Sequence, residues 1–164
     1  MAKPTSSSTV WAFCWLLLLA VSQSASAVGV SIRGVIFVPP SCTVNGGSTI
    51  NVPFGNELMT TRIDGVNYRK TVPYTVTCTG LPSNGLTMKL QGVGAGFNST
   101  LLSTNNVNLG IKFFINGVSW PLNSNFNFTA QNLPTMEAVP VKKPASSLST
   151  GAFSASATLL VVLQ

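Results

Sequence analysis

The sequence predicts an all-β domain, a sandwich of short strands, because of its composition and its hydrophobic periodicity. Charged residues make up 7% of the 164 residues and apolar residues 45%, whereas charged residues make up about 25% of a typical soluble domain. Gly, Ser, Thr and Asn fill much of the remainder, and these residues favour turns. Apolar residues recur at every second position, as in strands, and not in the 3.6-residue repeat of helices.

The first 27 residues are predicted to be a secretory signal peptide. Lys3 supplies the positive start, residues 10–21 form the apolar core, and Ala25-Ser26-Ala27 gives a small-x-small cleavage site. The alternative is an uncleaved membrane anchor, but an apolar run of about a dozen residues falls short of the roughly 20 needed to span a bilayer. We therefore expect an exported mature chain that begins at Val28.

Two cysteines remain after cleavage, Cys42 and Cys78. An even pair in an exported protein predicts one disulfide, and the chain-entropy model gives a loop of this length roughly 3–4 kcal/mol of stabilisation. The alternative is a metal site, but the chain has no His, and two thiols cannot complete a four-ligand zinc site. No cofactor is expected.

The predicted strands follow one another at short intervals. They cover residues 28–38, 49–54, 70–79, 87–91, 109–116, 126–130, 137–142 and 151–164. Pro39-Pro40 ends the first strand, Asn116-Gly117 predicts a hairpin turn after the fifth, and Pro140 places the seventh at a sheet edge. The glycine-rich stretch 92–96 is predicted to be a flexible turn. Seven or eight short strands with such turns favour an immunoglobulin-like sandwich.

The first strand would expose an apolar row unless it docks on another surface. One face carries Val28, Val30, Ile32, Gly34, Ile36 and Val38. The strand lies outside the predicted disulfide loop and before the Pro-Pro break, so it could dock on its own domain or on another copy. Gly34 weakens an ordinary strand but lets two backbones approach closely.

The last strand shows the cleanest alternation in the sequence. Its apolar face carries Gly151, Phe153, Ala155, Ala157, Leu159, Val161 and Leu163. From residue 159 onward both faces are apolar, so both are expected to be covered. An ordinary core strand that happens to be last would give the same pattern.

Three stretches of the chain, its cysteine pair and one glycine together carry a family resemblance. The stretches are Ile32-Arg33-Gly34, Pro39-Pro40-Ser41-Cys42-Thr43-Val44-Asn45 and Val52-Pro53-Phe54-Gly55-Asn56, and the glycine is Gly151, fourteenth from the end. In these features the chain resembles the pilin subunits of the chaperone–usher pathway of Gram-negative bacteria, above all the minor tip and adaptor subunits of P pili. Leu163 departs from the family pattern, which usually has tyrosine at the penultimate position.

The resemblance implies a domain over residues 41–164 that is an incomplete immunoglobulin-like sandwich lacking its final strand, with a donor-strand extension over residues 28–40. Each subunit of this family lends its extension to the groove of a neighbour, which is a form of β-strand addition. The implied donor residues are Val30, Ile32, Gly34, Ile36 and Val38. The implied chaperone-binding edge of the groove is the apolar row of the last strand, from Gly151 to Leu163.

The resemblance also implies partners and a location. The partners are a periplasmic pilus chaperone, an outer-membrane usher, and neighbouring pilin or adhesin subunits, and the location is a fimbrium at the cell surface. The implied function is that of a structural subunit, a minor tip or adaptor component that supports cell adhesion. The alternatives are a major rod pilin of the same pathway and a carbohydrate-binding adhesin, for which Trp120 would be a sugar platform instead of a core aromatic.

Other function classes are disfavoured by the residues themselves. An enzyme is not expected, because the chain has no His for acid–base work and its three acidic residues form no paired-carboxylate pattern. Removal of Lys3 with the signal leaves eight basic residues against three acidic ones, a net charge of +5. A nucleic-acid partner is not expected either, since that surface would need a clustered basic patch.

Overall fold

The structure is a computed structural model that describes residues 27–164. The signal peptide predicted over residues 1–27 therefore lies outside the described residues, apart from Ala27. Val38–Gln164 forms one compact unit. Residues 27–37 belong to a separate unit. The described residues contain eleven β-strands, two short 3-10 helices and no α-helix, so the all-β prediction is confirmed.

The elements of Val38–Gln164 are short, and most strands are joined by tight turns. The strands are β1 (Ser41–Val44), β2 (Lys70–Thr71), β3 (Val76–Thr79), β4 (Gly85–Gln91), β5 (Gly94–Ala95), β6 (Asn98–Ser103), β7 (Leu109–Ile115), β8 (Val118–Trp120), β9 (Asn125–Thr129), β10 (Met136–Lys142) and β11 (Thr158–Leu163). The 3-10 helices are Asn45–Gly47 and Thr60–Arg62.

The strands form three antiparallel sheets. The largest has the order β2-β10-β7-β6-β5, with β8 paired to β7. A second has the order β11-β4-β9, and β1 pairs with β3 in the third. Side chains of the two larger sheets meet in one apolar core, so the domain is a β-sandwich, as predicted.

The core follows the period-two pattern of the sequence. In β4, Leu86, Met88 and Leu90 are buried, while the residues between them are partly exposed. They lie opposite Leu163, Val161 and Leu159 of β11. Because alternate side chains of a strand point to opposite faces, this row packs the β11-β4-β9 sheet against the sheet that contains β10, β7 and β6.

The turn predicted at Asn116-Gly117 is confirmed. It joins β7 to β8, and the φ angles of the two residues are 49° and 78°. Positive φ at both central residues is the geometry that favours Asn-Gly in two-residue hairpins. Trp120 at the end of β8 is 5% exposed and belongs to the core, so it is a core aromatic and not a sugar platform.

The predicted disulfide is present. Cys42 of β1 lies directly opposite Cys78 of β3, and their sulfur atoms are bonded. The bond fixes the start of the compact unit to the third strand, 36 residues further along the chain.

Two predicted strands do not form, and a third is shortened. Residues 28–38 and 49–54 belong to no strand in the structure, and the strand predicted over 151–164 is paired only from Thr158 onward. The predictions rested on side-chain alternation, whereas a strand also needs a second backbone to receive its hydrogen bonds. Within Val38–Gln164, residues 49–54 and 151–157 pair with no other strand.

Three smaller expectations were also wrong. The glycine-rich stretch 92–96 contains β5, which pairs with the unpredicted strand β6. The strand predicted over 70–79 is divided into β2 and β3. The strand that contains Pro140 is not an edge strand, because β10 lies between β2 and β7. The short β2 pairs only with Glu137 and Ala138 of β10, so Pro140 has no β2 residue opposite it.

Candidate functional site

An open groove of about 1300 Å³ lies between two extended segments of the sandwich. We call residues 49–58 the first wall and residues 151–159 the second wall. The floor consists of core side chains from both larger sheets and from the segment before β3. These are Val72, Leu90, Leu102, Leu109, Ile111, Phe113, Met136 and Ala138. Each of these floor side chains is at most 8% exposed, so the groove is a cavity that borders directly on the buried core.

The first wall alternates like a strand although it is paired with nothing. Ile50, Val52 and Phe54 pack against the core cluster, and the residues between them are exposed. No residue of this wall belongs to a strand or to an isolated bridge in the part of the chain that the structure describes. Its backbone N–H and C=O groups are thus available to another chain.

The second wall runs into β11. Phe153 and Leu159 pack against the core, while Ala155 and Ala157 line the groove with small side chains. Strand pairing with β4 begins only at Thr158. The upstream part of the wall is held instead by the loop between β6 and β7.

That loop contacts the chain before and along the second wall through three asparagines. The Asn105 N–H donates to the Ser154 carbonyl oxygen at 3.1 Å, and the Ser154 N–H donates to Asn105 Oδ1 at 2.9 Å. Asn106 Nδ2 donates to Ser149 Oγ at 3.2 Å, and Asn108 Nδ2 donates to the Ser147 carbonyl oxygen at 3.1 Å.

Gly151 has a conformational reason to be glycine. Its φ angle is +128°, and no atom lies within 4 Å of the position a Cβ would take. Space therefore does not require glycine here, but the backbone angle does, since L residues rarely adopt it.

The residues predicted for the groove edge divide into two groups. Gly151, Phe153, Ala155, Ala157 and Leu159 line the groove. The two others, Val161 and Leu163, lie in β11 opposite Met88 and Leu86 of β4 and do not line it.

The sequence does not mark the first wall as part of a site. The alternation of Ile50, Val52 and Phe54 predicts only an ordinary strand. The contact between Asn105 and Ser154 spans 49 residues, and no local pattern announces it.

The side chains of the predicted extension are uncovered. The exposed fractions of Val30, Ile32, Ile36 and Val38 lie between 82% and 101%, and Val35 and Phe37 on the other face are 87% and 79% exposed. No atom lies within 4 Å of a Cβ built on Gly34. Contiguous exposed apolar side chains of this kind mark interaction surfaces.

The groove can bury apolar side chains and form main-chain hydrogen bonds, but no charged residue in the described part of the chain lines it. Among the described residues no polar or charged residue is fully buried, and no cluster of three or more metal-ligating side chains occurs. Tyr74, which packs against the core from outside the groove lining, donates from its hydroxyl to the Pro134 carbonyl oxygen at 2.6 Å. Burial raises the pKa of Tyr74 to about 12. None of the described helices is long and apolar enough to cross a bilayer.

Comparison with known proteins finds one family and several relatives. A family model described as fimbrial protein matches residues 22–164. The uncharacterised fimbrial-like protein YfcR of Escherichia coli K12 is 35% identical over 162 residues, with 92% of this chain and 89% of the relative covered. The fimbrial adapter PapF of Escherichia coli is 31% identical over 164 residues, with 92% and 95% covered.

A solved structure agrees with these sequence relatives. It is that of the P pilus adaptor subunit PapF, which superposes with a TM-score of 0.58 at 26% identity and covers 78% of this chain and 98% of its own. The similarity therefore extends from the sequence to the sandwich.

Proposed function

We propose, from the premise that this chain belongs to the fimbrial protein family, that it is a fimbrial subunit which accepts a β-strand from another subunit in its groove. The observation that carries the proposal is the groove itself, a cavity of about 1300 Å³ between two walls whose floor consists of core side chains. Both walls have extended stretches without a strand partner. The family assignment supplies the source of the strand, namely another subunit of the fibre.

A strand inserted between the walls would satisfy two needs at once. Unpaired backbone groups on both sides would gain hydrogen bonds, and unpaired groups that become buried are costly. Aliphatic side chains of the inserted strand would cover the floor, each contributing roughly 1.5–3 kcal/mol on burial. An uncovered groove of this size favours aggregation, which explains the need for a chaperone that lends a strand before assembly.

Residues 28–40 are the corresponding donor. Val30, Ile32, Ile36 and Val38 fall on one face of an extended chain, as the floor of a neighbour's groove requires, and Gly34 interrupts the row with a position that has no side chain. Their exposure in the structure supports this role. The pilin domain proper then covers residues 41–164, and residues 1–27 are the signal that directs export.

The place in the fibre follows from the relatives. PapF is named a fimbrial adapter, so we assign this chain to a minor tip or adaptor position. Its partners would be a periplasmic chaperone, an outer-membrane usher and the flanking subunits, and its location the cell surface. The role is structural and not catalytic.

Co-expression with the periplasmic chaperone from the same gene cluster tests the proposal. We expect native mass spectrometry to show a one-to-one complex both for the mature chain and for a variant that lacks residues 28–40. Upon addition of a second subunit, only the chain that keeps residues 28–40 should be able to occupy the groove of its neighbour. A mature chain that is a stable monomer with its groove filled by its own residues 28–40 would contradict the proposal.

Two further measurements separate the alternatives. A rod pilin would be abundant along isolated fibres, whereas an adaptor would be labelled by antibody only at or near fibre tips. Saturable binding to a glycan array by the strand-filled domain would favour an adhesin instead.

A further inference from the structure

The loop between β6 and β7 supplies a substitute for a strand partner at the second wall. Asn105 and Ser154 exchange two hydrogen bonds, one from each N–H. In an antiparallel ladder, a hydrogen-bonded pair exchanges two main-chain bonds in the same way. Here the side-chain Oδ1 of Asn105 takes the place of one main-chain carbonyl.

The pair lies in the part of the second wall that has no strand partner. β4 pairs with β11 from Thr158 onward, and the wall upstream of that residue belongs to no strand. Asn105 itself does not line the groove, whereas Ser154 does. The two hydrogen bonds to Ser154 are therefore the direct link between Asn105 and the second wall.

The bonds of Ser154 also determine which groups face the groove. At the other end of β11, the Gln164 N–H donates to the Gly85 carbonyl oxygen, towards β4. Main-chain groups of successive residues in a strand point to opposite edges, and residues 154 and 164 have the same parity. The odd-numbered residues, Phe153 and Ala155 among them, then direct their N–H and C=O groups to the free edge.

We propose that Asn105 is a positioning residue for strand capture, which holds the upstream half of the second wall so that Phe153 and Ala155 present their main-chain groups to the incoming strand. The inference rests on the proposed function. It assigns a role to a residue outside the groove. Asn105 adds one more hydrogen-bonded pair to the second wall, upstream of the pairs that β4 makes with β11.

Asn108 provides a matched control. Its side chain makes one hydrogen bond to the main chain of the same segment, at Ser147, which lies upstream of the wall. Asn105→Ala and Asn108→Ala therefore each remove one hydrogen bond between an asparagine side chain and the main chain. Only the first should affect the wall.

The test uses the mature chain with its disulfide intact, unfolded and then diluted into excess labelled peptide that corresponds to residues 28–40. Capture is followed by fluorescence anisotropy, and amide hydrogen exchange is then measured in the peptide-filled protein. For Asn105→Ala we expect slower capture and faster exchange at Phe153 and Ala155, each by about two- to tenfold, which is the effect of one lost hydrogen bond. Asn105→Asp, which keeps the acceptor oxygen, should restore both, and Asn108→Ala should change neither.

Three outcomes would overturn the inference. One is unchanged exchange at Phe153 and Ala155 in Asn105→Ala, and another is an equal change in Asn108→Ala. If Asn105→Ala yields no folded protein, Ser154→Pro is used instead, because it removes the N–H that donates to Asn105 Oδ1. Normal peptide capture by Ser154→Pro would be the third outcome that overturns the inference. Failure of the wild-type chain to capture both this peptide and the corresponding extension of every subunit from the same gene cluster would refute the proposed function, and the role of Asn105 with it.

Discussion

The phenyl rings of Phe54 and Phe153 lie 5.7 Å apart between their centroids, at an interplanar angle of 41°. Phe54 belongs to the first wall and Phe153 to the second, so this contact crosses the groove. Both rings also pack against the core cluster. A strand that occupies the full length of the groove has to separate these rings or displace one of them.

Phe153→Ala should therefore accelerate strand capture. Aromatic pairs are worth about 0.5–1.5 kcal/mol beyond their buried area, so removal of one ring should raise the capture rate of the 28–40 peptide about two- to tenfold. The measurement is fluorescence anisotropy after the labelled peptide is added to the folded chain, because the ring contact exists only there.

Phe128→Ala is the control for this change. It removes the same ring from β9, where the side chain packs against the core without lining the groove. Capture that is unchanged or slower in Phe153→Ala would show that the ring pair is no obstacle to entry.

Gly34→Leu should block donation by this chain. If the backbone at Gly34 lies close to the backbone of the neighbour's groove, a side chain at this position overpacks the groove. Overpacking should weaken binding by about 1–3 kcal/mol. Peptide 28–40 with this change should bind about 5- to 150-fold more weakly than the unchanged peptide in equilibrium competition.

Gly29→Leu makes the same chemical change on the opposite face of the extension. It should bind like the unchanged peptide. Equal affinity of the Gly34→Leu and Gly29→Leu peptides would remove the argument that Gly34 faces the groove.

Side-chain periodicity predicted the orientation of residues better than it predicted their pairing. Leu86, Met88 and Leu90 alternate in the sequence and lie buried in a paired strand. Ile50, Val52 and Phe54 alternate equally well and also face the core, but their backbone has no partner. Alternation reports which side chains are covered, whereas pairing depends on a second segment that no local pattern reveals.

The site itself could be predicted only in part for the same reason. The second wall carries a clear apolar row in the sequence, whereas the first wall is defined by the floor that lies between the two walls. Pro140 has no N–H to donate and therefore predicts an edge strand. β10 is instead an inner strand, which tolerates the proline because the short β2 pairs with it only at Glu137 and Ala138. The support from Asn105 depends on a contact across 49 residues.

Removal of the disulfide should destabilise the strand-filled domain by roughly 3–4 kcal/mol. Cys42 and Cys78 join β1 to β3, and the unfolded chain gains freedom when the link is lost. The double variant Cys42→Ser/Cys78→Ser should show a lower denaturation midpoint in guanidinium and an equal or steeper dependence on denaturant, because the unlinked unfolded chain exposes more surface. Reduced wild-type protein should unfold at the same midpoint as the variant, and a variant as stable as the oxidised wild type would contradict the expectation.

Tyr74→Phe should change how stability depends on pH in alkaline solution. Burial raises the pKa of Tyr74 from 10.0 to about 12, so the folded state keeps the phenol neutral where the unfolded chain ionises it. The stabilisation from this raised pKa is fully present below pH 10 and is lost as the pH rises towards 12. The variant also lacks the hydrogen bond to the Pro134 carbonyl oxygen, which should lower its stability at pH 7 by about 0.5–1.5 kcal/mol.

The free energies of unfolding of the strand-filled wild type and of Tyr74→Phe should therefore run parallel from pH 7 to 9, converge above pH 10 and cross before pH 12, because the rise in pKa from 10.0 to about 12 outweighs one hydrogen bond. Denaturant unfolding at pH 7, 9, 10, 11 and 12 gives both curves, and the parallel region serves as the internal control. The convergence follows because only the wild type has a phenol at this position whose ionisation opposes folding. A constant difference up to pH 12 would mean that Tyr74 ionises equally readily in the folded and the unfolded chain.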